Sequence, residues 1–178
     1  MENSPEIIYE RSCRSRSISI SVKPGGLVVV RYPFLSLQSS AERFVAGKSE
    51  WIRRMVARRK DSIALPKPTN KHFKENKETA RQKITARIEY FASKYSFDWK
   101  SIRIGRQKSR WGSCSLHGTI SFNYLLVFLP QELLDYVVVH ELCHLKEHNH
   151  SKDFWNLVEK EMPEWKKHRR ELRRYQAG

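Results

Sequence analysis

The sequence has only three cysteines, Cys13, Cys114 and Cys143, and none of them form a C-x-x-C pair. An odd, scattered set argues against a disulfide framework. No apolar stretch approaches the length of a membrane span. The start, Met1–Tyr9, has neither the basic flank nor the apolar core of a secretory signal. A cytoplasmic protein without a membrane segment is therefore expected. Internal repeats and low-complexity tracts are absent. Acidic residues are scarce, 19 against 34 basic ones, for a net charge of +15. Such a surface attracts polyanions, whether nucleic acid, nucleotides or acidic protein tails, and charge alone does not choose among them. At 39% hydrophobic content, 178 residues suffice for one core with or without a smaller N-terminal appendage.

What the sequence does carry is concentrated at His140-Glu141-Leu142-Cys143-His144. These residues fall in an apolar run with Leu133, Leu134, Val137, Val138, Leu142 and Leu145 at helical spacing, and Pro130 suits the first helical position. On that helix His140 and His144 project from one face a turn apart, as two ligands of one tetrahedral zinc ion must. Glu141 lies beside His140, within reach of a water on the metal but not itself a ligand. H-E-x-x-H on a helix is the zinc-hydrolase signature. The plain alternative is a solvated pair of histidines, and a mostly apolar helix gives little reason for one. Cys143 faces away from both histidines and is expected to pack as a small apolar group.

His148, His150 and His168 compete to be the third ligand, with Glu159 and Glu161 as carboxylate rivals. If the helix ran on, His148 would stand about 12 Å along the axis from His140 at ~1.5 Å per residue. Two nitrogens at ~2.1 Å from one ion are no more than about 4 Å apart. His150 qualifies if the chain reverses at Glu147-His148-Asn149, where Asn149 tolerates a left-handed cap. Ser151 then caps a new helix over Lys152–Met162, with Asp153 in its first turn. His150 is preferred on these grounds.

Along the chain, Arg16–Val22 alternates as a half-buried strand, Lys23–Gly26 turns, and Leu27–Tyr32 returns to complete a hairpin. A helix from Ser39 or Ser40 to about Lys60 follows. Its apolar side carries Phe44, Val45, Trp51, Ile52, Met55 and Val56, and its other face is basic: Arg53, Arg54, Arg58, Arg59 and Lys60. Leu65–Asn70, with two prolines, is the best boundary, giving units 1–65 and 66–178. The second unit should hold a helix over about Lys74–Tyr95, a strand at Ser101–Gly105 and a hairpin of Arg110–Cys114 with Thr119–Asn123. The zinc helix, the helix after Ser151 and a last helix over Glu164–Tyr175 complete it. This is an α+β plan with short antiparallel strands, preceded by an N-terminal β-hairpin and helix.

The runs Arg110-Trp111-Gly112-Ser113-Cys114, Asp135–His144 and Asn149-His150-Ser151-Lys152-Asp153-Phe154-Trp155 resemble the YgjP-like metallopeptidase domain, related to the SprT-like and WLM metalloproteases. The resemblance takes in most of the chain, including Trp51-Ile52. It implies a zincin-like unit, a Zn2+ site of His140, His144 and His150, Glu141 as general base, and a protein or peptide substrate. It further implies that Thr119–Asn123 or Arg110–Cys114 borders the cleft. The ten-residue spacing from His140 to His150 also fits metzincins, but Glu147 stands where they carry Gly. Tyr136, one turn before His140, either donates to an oxyanion or packs. Arg110 is a substrate-side or structural cation, and Asp135 and Asp153 are candidate partners behind the imidazoles. Two other functions compete: a metal-dependent nucleotide pyrophosphohydrolase, against which the lack of an Asp-rich motif counts, and a nucleic-acid module with structural zinc, which would need a fourth protein ligand.

Overall fold

The computed structural model of the chain describes residues 5–175. It divides into two units, one ending at Ala64 and one beginning at Leu65, each with its own hydrophobic cluster. No helix among the described residues is long and apolar enough to cross a membrane.

In the first unit β2 (Ser19–Val22) and β3 (Val28–Pro33) form the expected antiparallel hairpin. Its turn is made possible by Gly25 and Gly26, at φ +80° and +85°, which a side chain would disfavour. A strand not foreseen, β1 (Ile7–Ser12), pairs in parallel with the other edge of β3. The expected single helix is two: α1 (Gln38–Ala46) and α2 (Ser49–Arg59). Gly47 ends α1 with its N–H on the carbonyls of Arg43 and Val45, and Lys48 leaves helical geometry. The break splits the apolar side. Val45 and Ile52 are buried beneath the sheet's valines, while Phe44 and Trp51 remain 40% and 39% exposed. Arg59, expected on a solvated basic face, donates to the carbonyl of Val22.

The second unit begins with the proline segment, whose Leu65 packs on this unit's core and whose Pro68 carbonyl accepts from Arg106. Thr69 then caps α3 (Asn70–Tyr95), accepting from the His72 N–H at 3.1 Å, so the helix starts four residues before the expected Lys74. Ala80, Ile84, Ile88, Phe91 and Ala92 line its buried stripe. The sheet of β4 (Ser101–Gly105), β5 (Gly112–Cys114) and β6 (Thr119–Asn123) is mixed: β6 is central, parallel to β4 and antiparallel to β5. Of the two strands expected to border the cleft, β5 is thus the edge and β6 the interior. A 3-10 turn at Tyr124–Phe128 leads into α4 (Gln131–Cys143), with Pro130 flanking the helix as its N-cap residue. Then come α5 (Lys152–Glu161) and α6 (Trp165–Leu172).

Nearly every face of α4 is apolar, and it sits in the middle of the core, covered by α3, α5, α6, β5 and the 3-10 turn. Ile84 and Ile88 are fully buried in the same cluster, whereas Tyr90 is half exposed on the opposite side of α3. Replacing Ile88 by Ala should therefore cost about 2–5 kcal/mol in chemical unfolding. Tyr90→Leu should change stability by no more than about 0.5 kcal/mol.

Candidate metal centre

The H-E-x-x-H segment lies on the last turn of α4, as its spacing requires. The helix stops at Cys143, with His144 as the capping residue. The N–H groups of Lys146 and Glu147 both bond the Cys143 carbonyl, turning the chain at once. The reversal begins earlier than expected, and it uses no left-handed residue at Asn149: the one non-glycine residue at positive φ among those described is Ser96. Ser151 caps α5 by accepting from the Phe154 N–H at 3.3 Å. The short joint between these two helices carries His150 back to the first.

His150 Nε2 lies 3.1 Å from His140 Nε2. His144 completes the group, and one nitrogen from each ring falls within 4.8 Å of the others. That is close to the ~4 Å span one tetrahedral ion imposes on its ligands. Burial, and then the neighbouring His144 and His150, lower the His140 pKa to about 3, and burial also lowers that of His144. Burial thus holds His140 neutral, and its Nε2 faces that of His150 at a separation that two ligands of one cation can adopt. His144 donates Nδ1–H to the Glu147 carbonyl at 3.0 Å, which leaves its Nε2 free for a metal. His140 Nδ1 is buried with no partner. The donor set therefore fits a borderline-soft divalent ion such as zinc.

The residues after Ser151 hold the rings in place. Phe154, fully buried, stacks on His144 at 4.4 Å between centroids and meets His140 edge-on at 5.0 Å. Trp155 stacks on His150 at 5.6 Å, with Trp165 behind it at 4.3 Å and the Arg169 guanidinium over its ring. The run from His150 to Trp155 is thus one device: an imidazole, a helix cap and two aromatic supports.

Glu141 is 5% exposed. Burial raises its carboxyl to about 8, and the positive charge of Arg110 works against that rise. A cleft of about 180 Å³ opens beside it, lined by Trp111, Gly112, Tyr136, Val137, His140 and Leu172, among others. Tyr136 lines that cleft and is itself almost fully buried, and burial lifts its phenol to about 12. Arg110 is exposed at the entrance to β5. Asp153 is exposed in the first turn of α5. Asp135 turns elsewhere: both its oxygens accept from Arg87, at 2.7 and 2.9 Å. Neither rival carboxylate joins the histidines, and Glu159 pairs with Lys166. His148 borders a separate surface hollow with Asp98 and His117, and His168 lies beside Tyr136. Cys143 is fully buried, with its thiol raised by burial to about 12.

Two contributors went unread in the sequence. Gly112 lies against Glu141, and Asn123, fully buried, ties down the segment before β5. The Asn123 side chain donates to the carbonyls of Gln107 and Arg110 at 2.8 and 3.3 Å, and its backbone N–H bonds the Trp111 carbonyl. A lone Asn closing an apolar strand is the signal that would have pointed to it.

The family model described as YgjP-like, metallopeptidase domain, matches residues 70–175, so the first unit and its Trp51-Ile52 lie outside the match. No curated protein matches the chain. Among solved structures it is similar to the metallopeptidase zymogen of Pyrococcus abyssi abylysin, at 29% identity and a TM-score of 0.46, over 50% of this chain and 91% of that one. It is also similar to the zymogen of Methanocaldococcus jannaschii jannalysin, at 24% identity and a TM-score of 0.45, over 50% of this chain and 92% of that one.

The convergence of the imidazoles predicts how metal content responds to substitution. His150→Ala should weaken zinc binding by more than the ~10–100-fold that follows loss of a hydrogen-bond partner behind a ligand. His148→Ala and His168→Ala should leave it unchanged. Competitive chelator titration followed by metal analysis measures all three.

Proposed function

The chain belongs to the YgjP-like metallopeptidase family, and on that premise we propose that it is a zinc peptidase in which His140, His144 and His150 hold the ion and Glu141 is the general base. The observation that supports this best is the facing pair of ring nitrogens, His140 Nε2 and His150 Nε2, 3.1 Å apart beside a buried carboxyl. Three neutral imidazoles would leave one coordination position open, the pattern of catalytic rather than structural sites. Bound there, zinc supplies an acidified water and an electrophile that polarises the scissile carbonyl.

The chain's own groups do the rest. Glu141 accepts the proton of the attacking water and returns it to the leaving amine. Its carboxyl is raised by burial, and Arg110 opposes that rise, as a dication bound to the histidines also would. Tyr136 keeps its phenolic proton at neutral pH and can donate to the negative oxygen that develops on the carbonyl. As an edge strand of the sheet, β5 offers an extended peptide a place to add as a further strand, with its side chains reaching the cleft beside Trp111 and Leu172. The net charge of +15 favours acidic protein substrates in the encounter.

The C-terminal basic cluster is partly neutralised by neighbouring carboxylates. Lys166, Lys167 and Arg174 pair with Glu159, Glu164 and Glu171, and Trp165 is turned inward rather than offered to a base. Nucleic acid is therefore the less supported partner. For a nucleotide substrate, the described residues offer no second, carboxylate-rich cluster to hold the further metal that phosphoryl hydrolysis usually calls on.

Glu141→Gln should retain zinc and lose hydrolysis of an unfolded protein by at least ~10²-fold. A chelator should abolish the wild-type activity, and zinc should restore it. Chelator-sensitive hydrolysis of nucleoside triphosphates with no cleavage of protein would replace this reading with the pyrophosphohydrolase one.

A further inference from the structure

Among the described glycines, Gly112 is the one whose missing side chain is demanded by another residue. A Cβ at Gly112 would lie 2.6 Å from Glu141 Cγ, 2.6 Å from its Oε1 and 2.8 Å from its Cδ. At no other described glycine does an added Cβ come under 3.0 Å. Backbone conformation is not the cause. Gly25, Gly26 and Gly118 sit at positive φ, and Gly112 does not. An alanine therefore suits the backbone of β5, and the three atoms nearest its methyl all belong to Glu141.

The conflict is hard to relieve locally. Because Cγ is among the close atoms, turning the carboxylate end alone leaves the clash in place. The side chain would have to rotate about Cα–Cβ, and its 5% exposure leaves it little room. The strand cannot easily retreat either. Gly112 is paired with Phe122 across the sheet, and Asn123 fastens the preceding residues through the carbonyls of Gln107, Arg110 and Trp111.

We infer that Gly112 is the positioning residue for Glu141: the bare backbone of the edge strand is the wall against which the carboxyl is seated beside the metal ligands. This rests on reading Glu141 as the proton acceptor. Proton transfer requires the carboxylate within hydrogen-bond reach of the water it activates, and a shift of about 1 Å can cost ~10²-fold in rate. A methyl group at this position displaces the base, and none of the three atoms nearest to it belongs to a histidine of the cluster.

A double-mutant cycle tests the inference. Gly112→Ala should keep its zinc and hold KM within about twofold while kcat falls about 10²-fold. Added to Glu141→Gln, the same change should lower the residual rate no further. A second cycle reads thermal unfolding. Gly112→Ala should lower Tm when Glu141 is present and leave it unchanged in a Glu141→Ala background, where the colliding atoms are gone. A wild-type kcat in Gly112→Ala, an undiminished loss on top of Glu141→Gln, or the same drop in Tm in both backgrounds would overturn it. If Glu141→Gln stays active with zinc in place, it is the general-base assignment that fails. The Tm cycle then still decides whether Glu141 is seated on Gly112.

Discussion

Burial of α4 is the constraint on which the rest of the second unit depends. A helix apolar on nearly every side must be enclosed, and α3, α5, α6 and β5 do the enclosing. Polar groups on such a helix are tolerated only where something satisfies them. The exception comes at its last turn, with His140, Glu141 and His144. There the covering elements supply polar counterparts and close supports: His150 from the joint into α5, Phe154 and Trp155 from α5 itself, and the backbone of β5. Cover and site are the same set of contacts.

That coincidence explains what the sequence disclosed. The spacing of His140 and His144 needs only helix geometry to be read, and Ser151 as a cap needs only local backbone chemistry. Together they locate His150, although the turn that delivers it starts at Cys143 and leaves Asn149 unused as a left-handed cap. What depended on partners distant in sequence was not legible. Gly112 reads as one more small residue until Glu141, 29 positions on, is laid against it. Asp135, next to Tyr136, looks available to a ligand, yet Arg87 on α3 takes both its oxygens.

The first unit shows the same division. The β2–β3 hairpin followed from alternation and a Gly-Gly turn. Its parallel partner β1 did not, because Ile7 and Ile8 stand together and break the period of two. The division of the basic helix at Gly47 was missed because the apolar residues on both sides continue in phase, so the pattern hid the break. Periodicity reports which face is wet, not whether the backbone is continuous.

The aromatic support of the three clustered histidines has an optical consequence. Trp155 and Trp165 are stacked 4.3 Å apart, and the outer indole lies on His150. Trp111 lines the cleft that Glu141 also borders. Three of the five tryptophans therefore lie at the candidate centre or its cleft. Coupled indole transitions at this separation give the near-ultraviolet circular dichroism a signature of its own, and a neighbouring imidazole quenches indole emission according to its protonation and ligation. The molecule thus carries an intrinsic chromophore for its own centre, readable without a label.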